Sequence, residues 1–128
     1  MTKKDGIWKS KPDPEDYLAA HAYLGLLFDD PSATKLVQRL RHAPIIQRET
    51  KDLLRASGLN LLGRGAPHVA ADLKRIGKRK KLSPVLVVRG DGRKGLPLIV
   101  ADGYHRICAS WYWDENCPVA CCLANLEA

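Results

Sequence analysis

One order of elements limits the fold more than any other feature of the sequence. Residues 96–101 are mostly apolar and have the character of a strand, and Asp102 and Gly103 follow at once. Residues 104–114 then repeat apolar side chains at helical spacing. A strand that passes through a glycine turn directly into a helix requires both secondary structures in one core. The sequence therefore predicts an α+β fold.

Periodicity, prolines and glycines predict the other elements. We expect helices at 14–28, 31–43, 51–57, 67–76 and 104–114, and strands at 84–88, 96–101 and 118–123. Asp13, Asp30 and Thr50 are the expected N-caps, and Gly58 and Gly77 the expected terminators. The continuous apolar run 84–88 indicates a strand covered on both faces. The predicted organisation is a flexible tail at 1–12, a helical extension at 13–48 and a domain at 49–128.

The charge balance favours negatively charged ligands. The 128 residues contain 21 Lys and Arg against 14 Asp and Glu, a formal net charge of +7, and such a surplus attracts polyanions. Six of these cations fall within eight positions, at Lys74, Arg75, Lys78, Arg79, Lys80 and Lys81. Two interpretations are open: a solvated helix end stabilised by its own dipole, or a contact surface for phosphate or nucleic acid.

The sequence lacks a long apolar stretch and a metal-binding cysteine spacing, and these two absences set the expected location of the protein and the expected state of its cysteines. Apolar stretches fall well short of the roughly 20 residues that cross a bilayer, so we expect no membrane partner and a cytoplasmic location. The four cysteines include no CxxC pair and no histidine at metal-ligand spacing. Cys121 and Cys122 are adjacent in a predicted strand, so their side chains point to opposite faces. Buried, reduced thiols are the expectation.

The turn at 102–106 has the character of a phosphate site. The first N–H groups of a helix have no partner within the helix and lie at the positive end of its dipole. Gly103 permits a sharp turn and a close approach by an anion. His105 and Arg106 are basic residues in the first turn, which normally favours acidic residues. Either an anion binds there, or Arg106 folds back onto Asp102 or a strand end.

Four segments together resemble the ParB/sulfiredoxin superfamily in order and spacing, over about 55 of the 128 residues. They are Val69-x-x-Asp-Leu-x-x-Ile, Pro84-Val-Leu-Val-Val-Arg, Ala101-Asp-Gly-Tyr-His-Arg-Ile-Cys-Ala-Ser and Pro118-Val-Ala-Cys. The resemblance implies a small domain with a mixed sheet and flanking helices. It also implies that the glycine turn binds the phosphates of a nucleotide.

The turn differs from two branches of that superfamily. Sulfiredoxins carry a redox cysteine where this chain has Tyr104, so sulfinic-acid reduction is excluded. Chromosome-partition ParB proteins carry Glu there and a following DNA-binding domain, which we do not expect in the residues after this turn. Asp102, Gly103, His105 and Arg106 match the Asp-Gly-His-His-Arg turn of ParB-like free-serine kinases. That match implies a nucleotide-dependent phosphotransferase or NTPase, with ATP or another nucleotide and Mg²⁺ as cofactors.

Roles within such a site follow from side-chain chemistry. Gly103, Tyr104, His105 and Arg106 would bind the nucleotide, and Tyr104 either stacks on it or closes the edge of the core. Asp102 holds Mg²⁺, accepts a hydrogen bond from the substrate hydroxyl, or only caps the helix. His105 is the second predicted catalytic residue. The resemblance adds Glu49, with Asp52 near it, as the candidate general base, since both lie in the segment that precedes the core in the related kinases.

Three other functions remain open. A non-catalytic nucleic-acid-binding or regulatory module would bind DNA or RNA through Lys78, Arg79, Lys80 and Lys81. An interaction protein would use its N-terminal helices to bind a protein partner, and an apolar face left over between residues 17 and 40 would favour it. A nuclease ranks lowest, because no carboxylate cluster for two metals is evident. The remaining histidines, His21, His42 and His68, are expected to be surface or internally satisfied residues.

Overall fold

The structure is a computed structural model that describes residues 6–126. Its elements, in chain order, are α1 Pro14–Leu24, α2 Asp30–His42, β1 Ile45–Glu49, α3 Thr50–Ser57, α4 Pro67–Gly77, β2 Val85–Val88, a 3₁₀ turn at Gly92–Lys94, β3 Ile99–Asp102, α5 Tyr104–Trp113 and β4 Pro118–Ala124. The predicted α+β class is confirmed, with one mixed four-stranded sheet and five helices in the described residues.

The sheet has the order β1-β4-β2-β3. Strand β4 pairs antiparallel with β1 and parallel with β2, while β2 pairs antiparallel with β3. Strand β2 lies inside the sheet, and all four of its side chains are buried. Val85 and Val87 enter the core on one face, and Leu86 and Val88 enter it on the other. The prediction of a strand covered on both faces is therefore confirmed.

Helices cover both faces of this sheet. The α1 residues Tyr17, Ala20 and Leu24 pack with α2 against one face, in the same cluster as Leu86. On the other face, α3 and α5 pack against β2 and β4, and α4 packs beside α5. The two N-terminal helices are thus part of the hydrophobic core, because they pack in one cluster with residues from all four strands.

The predicted division between 48 and 49 is wrong for this reason and for a second one. Strand β1 begins at Ile45, and Ile45 and Ile46 pair with Cys122 and Cys121 of β4. The boundary therefore cuts through an edge strand of the sheet. This strand was missed because its five residues include only two apolar ones, too few to give a periodic pattern.

The predicted flexible tail is also corrected where the structure describes it; residues 1–5 lie outside the described range. Ile7 is buried beside Leu82. Trp8 forms a parallel bridge with Leu82, and its indole nitrogen donates a hydrogen bond to the carbonyl of Pro118 at 2.9 Å. Two large apolar side chains in a polar segment are enough to dock residues 6–12 onto the core.

Several helix ends shift by a few residues. Helix α1 ends at Leu24 rather than at 28, and α2 is capped by Asp29, whose carboxylate accepts the Ser32 amide hydrogen bond at 2.9 Å. Thr50 is the first residue of α3 rather than its cap, since its hydroxyl donates to the carbonyl of Cys117 instead. The left-handed Gly58 closes α3 as predicted.

The four cysteines are buried and free of disulfides, as predicted. Cys121 and Cys122 enter core clusters on opposite faces of the sheet. Burial raises the pKa of the Cys121 thiol to about 11, which keeps it protonated. Within residues 6–126 no helix has the length and apolar character needed to cross a bilayer.

Candidate functional site

The turn between β3 and α5 requires glycine. Gly103 has a φ of +107°, and a Cβ at this position would lie 2.4 Å from the Cγ1 of Val85. The first backbone hydrogen bond of α5 is donated by the Ile107 N–H to the Gly103 carbonyl, at 3.0 Å. The N-cap residue of this helix is Gly103, which has no side chain to accept its amide hydrogens, so the interpretation of Asp102 as the cap is wrong. The amides of residues 104–106 precede the first helical bond and are the donors of an uncapped N-terminus.

An open cavity of about 700 Å³ lies beside Gly103. Its walls come from the N-terminal segment, the start of α1, helix α4, the loop before β2 and the first turn of α5. The basic side chains that line it are Lys9, His68, Arg75, Lys80, Lys81, His105 and Arg106, and the acidic ones are Asp13, Glu15, Asp16, Asp72 and Asp102.

Arg106 is already paired within the chain. Its Nη1 lies 3.0 Å from the Asp16 carboxylate, and its Nη2 lies 2.6 Å from that of Asp102. Nη1 also donates to the main-chain carbonyl of Ser83, and only 12% of the side chain is exposed. Of the two interpretations, the structure therefore has the folded-back arginine. Its charge is balanced by two carboxylates before any ligand arrives.

The partner Asp16 was missed by sequence reasoning. It lies in the first turn of α1, where an acidic residue is ordinary. The carboxylate also accepts a hydrogen bond from the Ser83 hydroxyl, so α1, the loop before β2 and the turn are joined at one point. Asp16 and Arg106 are 90 positions apart, and no local pattern connects them.

The environment of Asp102 suits proton exchange. Burial raises the pKa of this carboxyl to about 6, against the lowering effect of Arg106, and the nearby Asp16 charge adds to the rise. Burial also raises the pKa of Asp72, another wall of the cavity, although Arg106 and Arg75 oppose it. Asp102 is a partly buried carboxyl in a cleft, and its pKa lies near neutrality. Such a group is a candidate general acid or base.

Asp102 fits a metal less well. One of its oxygens is bound to Arg106, and Asp16 is bound to the same guanidinium. A cation placed between these carboxylates would have to displace the arginine. In addition, the described residues contain no group of three or more His, Cys, Asp or Glu side chains arranged to hold an ion. Any Mg²⁺ would therefore depend on the phosphates of a bound nucleotide.

Two imidazoles form one wall of the cavity. The ring centroids of His68 and His105 are 4.8 Å apart. His68 is the second residue of α4 and His105 is the second residue of α5, so the N-termini of two helices meet here. Neither helix has a side-chain cap. His68 is exposed, as predicted for a surface histidine, and it also lines the cavity beside the predicted site residue His105.

The basic run folds back toward the same cavity. Helix α4 includes Gly77 and ends in a turn in which the Arg79 N–H bonds to Ile76 and the Lys80 N–H bonds to Arg75. Arg79, with φ of 60°, takes the left-handed position predicted for glycine. Lys80 and Lys81 consequently line the cavity.

The cations of this run differ in their partners. All six side chains are exposed, and Arg75 lies 3.5 Å from Asp72. The structure gives no ion pair for the consecutive cations Lys78, Arg79, Lys80 and Lys81 among residues 6–126. These four are therefore available to a negatively charged ligand.

Other predicted site residues lie elsewhere. Glu49 ends β1 and sits 3.8 Å from Lys51, outside the cavity. The Tyr104 hydroxyl donates to the carbonyl of Asn60, and its ring packs in the core, so it closes the core edge. Lys78 and Arg79 do not line the cavity either. Asp102, Gly103, His105 and Arg106 are thus brought together, joined by residues that the sequence did not single out.

Comparisons of this chain with protein-family models, with curated proteins and with solved structures found no match, so the ParB/sulfiredoxin resemblance stays a prediction that rests on the sequence motifs.

Proposed function

We propose that this chain binds a phosphate-bearing small molecule, with a nucleotide as the first candidate, in the cavity beside Gly103. One observation carries the proposal. Two helix N-termini without a capping side chain, two adjacent imidazoles and two lysines without an ion pair within residues 6–126 meet at one cavity of about 700 Å³. Each of these features favours negative charge, and a cavity of this size suits a nucleotide.

Different cavity residues would have different roles in binding. The amides of residues 104–106 and the imidazoles of His68 and His105 would hold a phosphate at the helix N-termini. Lys80 and Lys81 would neutralise its remaining charge. Arg106 holds the turn in shape through Asp16 and Asp102, and is a positioning residue.

The proposed chemistry is transfer of the terminal phosphoryl group of a bound nucleoside di- or triphosphate to a hydroxyl group or to water. A P–O bond to the acceptor forms, the P–O bond to the bridging oxygen breaks, and the nucleotide leaves with one phosphate fewer. The motif match of Asp102, Gly103, His105 and Arg106 to ParB-like free-serine kinases supports this class. Such reactions depend on positioning the phosphate and orienting the nucleophile. Asp102, whose raised pKa lies near neutrality, would accept the proton of the attacking hydroxyl. Glu49 has no part in this proposal, because it lies outside the cavity.

The experiment is a thermal-shift and calorimetric titration with ATP, ADP and CTP, each with and without Mg²⁺. A nucleotide at about 100 times its Kd stabilises the fold by about 2.7 kcal/mol, which raises the Tm by several degrees. Lys80→Gln with Lys81→Gln should weaken binding at least tenfold. The matched control is Lys74→Gln with Lys78→Gln, which removes the same charge outside the cavity and should change Kd by less than about threefold. No shift with any nucleotide, or equal losses in both double variants, would contradict the proposal.

A second candidate is supported by the exposed and unpaired state of the basic run. Lys78 and Arg79 are exposed outside the cavity and directly precede Lys80 and Lys81 in the chain, so a nucleic-acid backbone could contact all four. A labelled 20-nucleotide RNA or DNA titrated at increasing salt tests this candidate. Lys78→Gln with Arg79→Gln should weaken oligonucleotide binding and reduce its salt dependence by about two charges, while leaving mononucleotide binding unchanged. If this variant binds the oligonucleotide as tightly as the wild type does, the basic run is not a nucleic-acid contact surface.

A further inference from the structure

Helix α1 and the turn after it expose an unusual amount of apolar surface. Seven large hydrophobic side chains are exposed in the described part of the chain, and four of them fall within ten residues. These four are Leu18, Tyr23, Leu26 and Leu27, with exposed fractions of 69%, 43%, 84% and 53%. Ala19 and Ala22 are exposed between them. We call these six residues the α1 outer face.

The fold itself does not need the α1 outer face. The opposite side of α1 buries Tyr17, Ala20 and Leu24 against the sheet and α2. A surface helix of a globular protein normally has polar residues on its outward side, whereas this helix is apolar on both sides. Single exposed leucines are common, but a contiguous group of this kind marks a contact surface.

The charges around the α1 outer face indicate which partner suits it. Residues 12–34 contain five acidic residues and no Lys or Arg, although the whole chain has a net charge of +7. Glu15 precedes the face in the chain, and Asp29 and Asp30 follow it; all three are exposed, and the Asp30 carboxylate lies 3.3 Å from the His21 imidazole. The Asp30 side chain is 81% exposed. The surface is therefore apolar along its middle and negatively charged at both ends.

We infer that the α1 outer face is a docking site for an amphipathic helix of another protein, whose apolar stripe is flanked by Lys or Arg. An apolar stripe would cover the four large side chains, as in other helix-mediated contacts. Basic flanks would meet Glu15 at one end and Asp30 at the other. A two-fold pairing with a second copy would instead bring the acidic ends of two α1 helices together. An anionic membrane surface would meet the same repulsion.

The test uses two synthetic 18-residue helical peptides with the same leucine stripe, one flanked by lysines and the other by glutamates. Fluorescence polarisation with the full chain should give at least tenfold tighter binding for the lysine peptide. Leu18→Ser with Leu26→Ser should weaken that binding at least tenfold. Leu59→Ser with Leu61→Ser removes two exposed leucines elsewhere and should leave it within about twofold. Asp30→Lys should reduce the preference for the lysine peptide.

Four results would overturn this inference. They are equal binding of both peptides, no effect of the Leu18 and Leu26 substitutions, a dimer in sedimentation velocity that those substitutions abolish, and binding to anionic vesicles but not to the lysine peptide. The dimer would assign the face to a second copy, and the vesicle result would assign it to lipid. Glu15 also lines the cavity, but none of the six residues of the face does, so the leucine substitutions test this inference independently of nucleotide binding.

Discussion

Arg106 and the basic run 78–81 both bring positive charge to one cavity, the run through Lys80 and Lys81, yet their surroundings differ completely. Arg106 is 12% exposed and is held by Asp16, Asp102 and the Ser83 carbonyl. The four cations of the run are exposed and have no ion pair in the described chain. A cation at a helix N-terminus seemed to require a ligand, but the fold supplies its counter-charges. The cations free to meet a ligand stand at the C-terminus of α4, where a helix favours them anyway.

The difference shows that burial decides what a charged side chain does. An arginine removed from water is costly unless carboxylates and carbonyls surround it, so it becomes part of the framework. An exposed lysine keeps its hydration water in the folded protein. Exchanging part of that water for a bound phosphate costs little free energy.

Removing Arg106 should cost far more stability than removing any lysine of the run. Arg106→Ala leaves Asp16 and Asp102 partly buried without their counter-charge, and we expect a loss of about 3–5 kcal/mol in the free energy of unfolding. Lys80→Ala, at an exposed position, should change it by no more than about 0.5 kcal/mol. Urea denaturation at pH 7 measures both. A loss below about 1 kcal/mol for Arg106→Ala would contradict the claim that buried Arg106 stabilises the fold far more than an exposed lysine does.

The carboxylate side of the cluster should appear in the pH dependence of stability. The pKa of Asp102 in the fold is about 6, above its ordinary value of 3.8, so the folded state holds this proton more tightly than the unfolded chain. The resulting stabilisation is complete below about pH 4 and is lost as the pH rises through 6. At most it amounts to about 3 kcal/mol, and solvent access to a fifth of the side chain reduces it.

Urea unfolding of the wild type and of Asp102→Asn at pH 4, 5, 6 and 7 isolates this contribution. The stability of the wild type relative to the variant should fall across that range, because only the wild type loses the proton. Asp52→Asn, an exposed carboxylate outside the cavity, supplies the baseline. A relative stability that stays level or rises with pH would contradict the burial of Asp102.

The smallest expected change in the free energy of unfolding concerns Arg79, in the turn that follows α4. Arg79 adopts a left-handed conformation that glycine adopts without strain. Arg79→Gly should therefore stabilise the fold by about 0.5–1 kcal/mol, whereas Arg79→Ala, which keeps the strain, should not. Both variants remove the same charge, so urea midpoints separate backbone strain from electrostatics. Destabilisation by Arg79→Gly would mean that its side chain supports the fold.

Local sequence patterns were sufficient for much of the architecture. The apolar run at β2 predicted a doubly covered strand, and Gly103 predicted a turn that excludes a Cβ. Proline start signals located the beginnings of α1 and α4. Each of these features depends on residues adjacent in the chain. The short strand β1 was missed because its pairing with β4, about 75 positions later, stabilises it more than its own composition does.

The sequence alone determined the α+β class, the strand–glycine–helix turn with His105 and the concentration of cations at 74–81, because these depend on local periodicity and composition. Only the tertiary structure decided that Asp16 and Asp102 hold Arg106, that His68 stands against His105, and that Lys80 and Lys81 line the same cavity. The physical reason is distance along the chain. Contacts between residues up to 90 positions apart arise from packing α1 and α4 around the sheet, and no local pattern encodes which charges that packing brings together.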